Sequence, residues 1–434
     1  PVTALLAALL ASSAGPVLPA AFAAQGDGYE LPPGLAGHPR VVMLTPPCFA
    51  DANAIVEPFG GVVLDTVPTL GFHLIQLPDA ITELQYEFIL ELLASQEFVF
   101  LVEKERRAEL PESMACGQPL PVVQQCTIGI VDGGKTQSDV LSQAWLAQIG
   151  VPAPGALAGG EPRIAAVIDT GVDPHVPWLA GRLLEGWDFL ADVPGGYESQ
   201  DGVDNDRDGY VDEAFGHGTH IASTIGLIDP NALILPLRVM DSDGNGSSYW
   251  VAKAVVLATL EGASVINLSL SFTHYSEFLR HAVAFAVHSG VDVYTSAGNT
   301  AFPGVLFPAT DLQAGPVLPD FFPLPDEVFP IAVVSVGSVG SGDVVSGFSA
   351  YGPLVELWAP GEEILAAHPR ELFATWSGTS MACAVASGVG SLLRAHDPED
   401  QPKAALLVGT AVPIDAANGD LRAVWGGGRI DVAA

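Results

Sequence analysis

Beyond residue 160 the chain alternates short apolar runs with longer apolar stretches of helical period. The short runs are Ile164–Ile168, Leu233–Leu237, Ser264–Leu268, Val291–Thr295 and Ile331–Val336, and their length and β-branching predict buried strands. The longer stretches are His217–Ile228, Tyr249–Leu260, Ser276–His288 and Ser380–His396. This order predicts an α/β fold, a parallel sheet with helices on both faces. Ligands of such sheets bind at the carboxyl ends of strands. Asp169, Leu268 and Asn299 stand at such ends, while His217 and Ser380 open helices, so one rim collects the chemistry. Upstream the rhythm changes. Val41–Leu44, Gly61–Leu64, Phe72–Leu77 and Phe98–Val102 read as strands, and Ala50–Glu57 and Ala80–Ser95 as helices. The order βαββαβ is that of a small α+β ferredoxin-like unit.

Three stretches carry candidate chemistry. In Trp376-Ser377-Gly378-Thr379-Ser380-Met381-Ala382 a turn of small residues enters an apolar helix. Ser380 thus lies where helix N–H groups and the dipole favour a negative oxygen. Alone it would read as an N-cap. Two upstream stretches supply what a nucleophilic serine needs, an imidazole to take its proton and a carboxylate to orient the imidazole. Phe215-Gly216-His217-Gly218-Thr219-His220 opens one helix, and Ile164 to Asp169, followed by Thr170-Gly171, ends a strand on an acid. His220 is expected to point into the core, with its ring hydrogen-bonded.

Asp169, His217 and Ser380, in that chain order, resemble the triad of the subtilisin-like (subtilase) serine endopeptidases. The resemblance implies that Ser296-Ala297-Gly298-Asn299 supplies an oxyanion donor, Asn299, beside the Ser380 N–H; one such donor is worth roughly 3–4 kcal/mol. It also implies that Gly244-Asn245-Gly246 and Leu268-Ser269-Leu270, with Ala297 and Gly298, grip the substrate, the first two segments by adding β-strands. Ser271 stands where the family commonly has Gly, and Cys383-Ala384 where it has Thr or Ser and then Pro. The βαββαβ unit is similar to the family's inhibitory propeptide. The implied division is a leader over 1–24, a propeptide over 39–108, a linker and processing region over 109–160, and a catalytic domain over 161–434 that ends at Gly428–Val432 without an accessory domain.

Charge and composition narrow the partners. Fifty acidic residues against 16 basic ones give a net charge of −34 among 434 residues, a surface that repels phosphate backbones and excludes nucleic acid. The uncharged start, with Ala21-Phe22-Ala23 near its end, reads as a secretory signal whose beginning lies upstream. Gly15-Pro16 and Pro19 interrupt it short of a membrane span of about 20 residues. Residues 27–38, rich in Gly and Pro, read as a linker. Cys116 and Cys126 could pair in an oxidising compartment, Cys48 falls in the removable part, and Cys383 is expected in the core.

Between the Asp and His motifs lies the densest acidic run. Asp204, Asp206 and Asp208 with Gly209 match the opening of an EF-hand-type calcium loop, and the Tyr210 carbonyl and Asp212 carboxylate could complete an oxygen shell. Phe215 at position twelve rules out a full EF-hand; a solvated acidic loop is the alternative. An insertion from about Thr310 to Glu327 could cover the S1 side. The expectation is a secreted, monomeric serine endopeptidase that acts on polypeptides, is inhibited by its own propeptide and binds structural Ca2+. A catalytically silent, calcium-dependent binding module is the rival; an esterase shares the chemistry but not the chain order.

Overall fold

The structure is a computed structural model that describes residues 39–47, 49, 51–79, 81–111, 130–131, 134–151, 160–309, 333–397, 401–419 and 427–432. The expected leader, the 27–38 linker, Cys48, Cys116, Cys126 and the 310–327 insertion lie outside these residues. Two compact units divide between Arg107 and Ala108, the first also taking in Ser247–Tyr249 and Ser276–Phe278.

The first unit runs β1 (Arg40–Leu44), α1 (Ala52–Val56), β2 (Val62–Val67), β3 (Phe72–Gln76), α2 (Glu83–Ala94) and β4 (Leu101–Lys104). Its four strands form an antiparallel sheet in the order β2-β3-β1-β4. Val41, Met43, Val56, Ile75, Ile89 and Leu93 fill the space between sheet and helices. Helix α2 opens on a capping box, the Thr82 hydroxyl accepting from the Gln85 N–H while the Gln85 side chain accepts from the Thr82 N–H. The strand expected from Phe98 begins only at Leu101, because Phe98 adopts a left-handed φ of 67° that no strand contains. His73 is buried between the hydroxyls of Thr45 and Thr66, at 2.8 and 3.0 Å, and burial pulls its pKa down to about 4.

The second unit is built on a nine-stranded sheet. Its strands are β5 (Ile164–Asp169), β6 (Trp187–Asp188), β7 (Val193–Pro194), β8 (Leu233–Arg238), β9 (Ala263–Leu268), β10 (Asp292–Ser296), β11 (Val333–Val339), β12 (Leu357–Pro360) and, after the hairpin β13 (Ile364–His368) and β14 (Leu372–Trp376), β15 (Gly428–Arg429). The order is β15-β12-β11-β10-β9-β5-β8-β6-β7, parallel except for the last pair. The helices expected from the apolar runs are present: α3 (His217–Ile228), α4 (Ser248–Leu260), α5 (Glu277–His288) and α6 (Thr379–His396).

Helix α6 is buried along its whole length except at Leu393 and His396. A helix with so little polar surface belongs inside the molecule, and its small residues let neighbours approach. A Cβ on Gly390 would stand 2.4 Å from the Tyr294 hydroxyl. Helices α3 and α6 pack against each other, and α6 also packs on the central strands, so the two helices that open on His217 and Ser380 share one core.

Candidate active site

The Asp169 side chain is fully buried at the end of β5, where the chain turns through Thr170-Gly171. The Thr170 N–H donates to its Oδ1 at 2.7 Å. His217 is the first residue of α3 and also buried, and its Nδ1 lies 2.8 Å from the same Asp169 Oδ1. Gly218 makes this approach possible: a Cβ there would fall 2.1 Å from the Gly171 carbonyl oxygen. Nδ1 bonded to a carboxylate carries the proton, leaving Nε2 as the basic nitrogen of the neutral ring.

Ser380 is the second residue of α6, behind an N-cap glycine in extended conformation, Gly378. Its Oγ lies 3.3 Å from the Ser269 carbonyl, and the Ser269 hydroxyl donates to the Ser380 carbonyl at 3.1 Å. The Trp376 ring, four residues upstream, packs on both His217 and His220 with centroids 5.2 Å away. Asn299 is oriented by Ser380's neighbour: its Oδ1 accepts from the Thr379 N–H at 2.9 Å and the Thr379 hydroxyl at 2.8 Å. These two bonds hold the carbonyl end of the Asn299 amide against Thr379.

The expected substrate segments bracket a slot. Glu109 and Ser271 exchange backbone hydrogen bonds of 3.0 and 2.8 Å, and the Leu110 N–H donates to the Gly244 carbonyl at 3.1 Å. Glu109 and Leu110 thus run between Gly244 on one side and Ser271 on the other. Ser271 is fully buried there. Asn245, Ala297, Leu268, Ser269 and Leu270 are buried in the same unit, and the side chain of Asn245 leans on Asp241.

His220 points into the core as expected, its Nε2 bonded to the Ile364 carbonyl at 2.9 Å, and burial lowers its pKa to about 3. It stays neutral and is no rival base. Cys383 is a free, buried thiol that accepts from the Asn267 amide, and burial pushes its pKa up to about 12.

In the acidic run, carboxylate oxygens of Asp204, Asp206 and Asp208 lie within 4.8 Å of one another. Such a set of hard oxygen donors suits a divalent cation of the calcium kind. Asp212 stands apart from these three: its carboxylate accepts from the Asp201 and Gly202 N–H groups at the base of the loop. The Tyr210 N–H donates to Asp208. Asp243 clasps the loop from the edge of the expected substrate segment, accepting from the backbone N–H groups of Asn205 and Asp212. Burial lifts the neighbouring Glu213 carboxyl to about 8, and the charge of Asp243 adds to the shift.

Comparison with known proteins agrees with the geometry. The sequence model of the Subtilase family (Peptidase_S8) matches residues 162–426. Thermitase of Thermoactinomyces vulgaris is 30% identical over 285 residues, 63% of this chain and 88% of thermitase. The thermophilic serine proteinase of Bacillus sp. (strain AK1) is 33% identical over 245 residues, 54% of this chain and 53% of that protein. Among solved structures, fervidolysin of Fervidobacterium pennivorans, a keratinolytic enzyme related to subtilisin, superposes with a TM-score of 0.68 at 24% identity, covering 91% of this chain and 60% of fervidolysin. The chain belongs to the subtilase family and is a subtilisin-like serine peptidase.

Proposed function

We propose that the chain is an endopeptidase that cleaves polypeptides with Ser380 as nucleophile, His217 as general base and then acid, and Asp169 as the group that orients His217. The buried 2.8 Å bond between His217 Nδ1 and Asp169 Oδ1 carries the reading. Ser380 Oγ attacks the scissile carbonyl while His217 Nε2 takes its proton, and Asp169 stabilises the imidazolium. The tetrahedral oxyanion accepts from the Asn299 amide and the Ser380 N–H, a first-turn group with no acceptor within its own helix. His217 then protonates the leaving amine, and water reverses the steps on the acyl-enzyme.

Substrate binds as a strand between Gly244-Asn245-Gly246 and Leu268-Ser269-Leu270, with Ala297 and Gly298 beside the scissile bond. The seating of Glu109 and Leu110 between Gly244 and Ser271 supports this mode. It also supports reading residues 39–108 as an inhibitory propeptide, followed directly by a segment that occupies the cleft until the chain is cut. The protein is then a secreted zymogen. No helix among the described residues is long and apolar enough to cross a membrane. Asp204, Asp206 and Asp208 would hold a structural calcium ion, which would offset most of the charge of three crowded carboxylates; no catalytic step passes through it. Expression of Ser380→Ala in a host lacking other proteases tests the reading. The variant should be inert on casein and should accumulate uncut, whereas the native chain shortens within residues 104–160. Normal shortening of the variant would mean that another enzyme processes it.

A further inference from the structure

Glu198 lies in the loop after β7, outside every motif that marks the site. Its Oε1 accepts from the Thr170 hydroxyl at 2.6 Å and the Gly216 N–H at 2.8 Å. Its Oε2 accepts from the Thr219 hydroxyl at 2.6 Å and the Thr219 N–H at 3.1 Å. Four donors therefore converge on one carboxylate, and they come from both segments that carry the Asp169–His217 pair. We infer that Glu198 is a positioning residue of this peptidase, clamping the turn after Asp169 to the first turn of the helix that presents His217. The inference rests on the triad reading above.

Two features of the site require such a clamp. Helix α3 has a glycine at its N-cap, in left-handed conformation with no capping side chain. Its first N–H groups need an acceptor from elsewhere in the chain, and a carboxylate there is also favoured by the dipole. Glu198 meets both needs. On the other side, the Thr170 hydroxyl that it engages accepts from the Gly218 N–H at 3.0 Å and lies 3.3 Å from Asp169 Oδ1. The Thr219 hydroxyl also accepts from the Asp173 N–H at 2.9 Å. The network thus fixes, through one side chain, the separation of two segments whose residues must meet at hydrogen-bond distance.

Charge acts in the same direction. The groups around Glu198 are Asp169 behind Thr170 and, along the same cavity of about 570 Å³, Asp173 with its partner His175, Arg370 and Glu371. Burial, with the Asp169 charge adding to it, outweighs the pull of the Thr170 and Thr219 hydroxyls and the Gly216 N–H and lifts the Glu198 carboxyl to about 7. Once ionised, it adds negative charge beside a histidine that must become positive during turnover.

The test compares the native enzyme with Glu198→Gln, which keeps the shape but turns an NH2 toward two donors. Competent sites are counted by titration with a fluorophosphonate, so that kcat is read per labelled serine. Glu198→Gln should lower kcat per site by about tenfold to a hundredfold, the range for misplaced catalytic groups, with KM within about twofold. The acid limb of kcat/KM should move to lower pH, since the imidazolium loses a favourable charge. Should this variant not fold, Thr219→Val should show the same pattern in weaker form and Thr219→Ser should restore it. Unchanged kcat per site and an unmoved acid limb in the variants, with native Ser380 labelled, would overturn this inference alone. Failure of the probe to label Ser380 in the native enzyme would overturn the triad reading and the inference together.

Discussion

Asn299 offers the sharpest quantitative test of the oxyanion site, because the structure shows what aims it. Truncation to alanine removes the donor, a loss of roughly 3–4 kcal/mol, or about 10²–10³ in kcat. KM should barely change, since the bond forms mainly in the transition state. Thr379 holds the amide by two bonds, from its N–H at 2.9 Å and its hydroxyl at 2.8 Å. Thr379→Val removes only the second, along with the hydroxyl's bond from the Gly298 N–H at 3.1 Å. One such neutral bond is worth about 1 kcal/mol, so kcat should fall by about fivefold. If Thr379 acts by aiming Asn299, the double variant should be no slower than Asn299→Ala alone. The assay is steady-state hydrolysis of a chromogenic peptide anilide, with active sites titrated for each variant. A loss confined to KM would place Asn299 in ground-state binding. Full additivity in the double variant would show that Thr379 serves kcat by another route.

Two further predictions concern stability. Calcium at a hundredfold excess over Kd should stabilise the folded protein by about 2.7 kcal/mol, and chelation should lower Tm and hasten autolysis near residues 195–213. Asp206→Ala with Asp208→Ala should abolish the calcium response; equal losses in EDTA for native and double variant would leave the loop a solvated face. In the first unit, burial holds the pKa of His73 at about 4, below the ordinary 6.5 of the imidazole, so the unfolded state binds the proton more readily. Stability is therefore complete above pH 6.5 and falls as pH drops from 6.5 toward 4. Hydrogen exchange across residues 39–107 in the uncut Ser380→Ala protein should quicken over that window, and His73→Gln should flatten the dependence. An unchanged pH profile in His73→Gln would assign the acid sensitivity to other groups.

The parallel core was legible because its strands are continuous apolar runs bounded by turns, and α3 begins and ends where its periodicity does. The candidate triad was legible because each of its residues stands at the junction of an apolar element and a turn of small residues. Contacts made by loop side chains left no such trace. Glu198 sits in Gly195-Gly196-Tyr197-Glu198-Ser199-Gln200, which reads as polar turn, and its role depends on donors from two other segments. Asp212 has the spacing of a metal ligand, yet backbone N–H groups compete for its oxygens. The β13–β14 hairpin was not anticipated either. Pro369 breaks its apolar run, and the Arg370-Glu371 turn adopts left-handed φ values of 68° and 60°, where glycine or asparagine would have signalled it.

The Asp243 clasp has a practical consequence for anyone who redesigns specificity. The residue directly before Gly244-Asn245-Gly246 is also the acceptor that gathers the acidic loop at Asn205 and Asp212. An edge strand grafted here without a carboxylate at that position would undo the loop it holds. The transplantable cassette is therefore not 243–247 alone but that segment together with 201–213, moved as a pair.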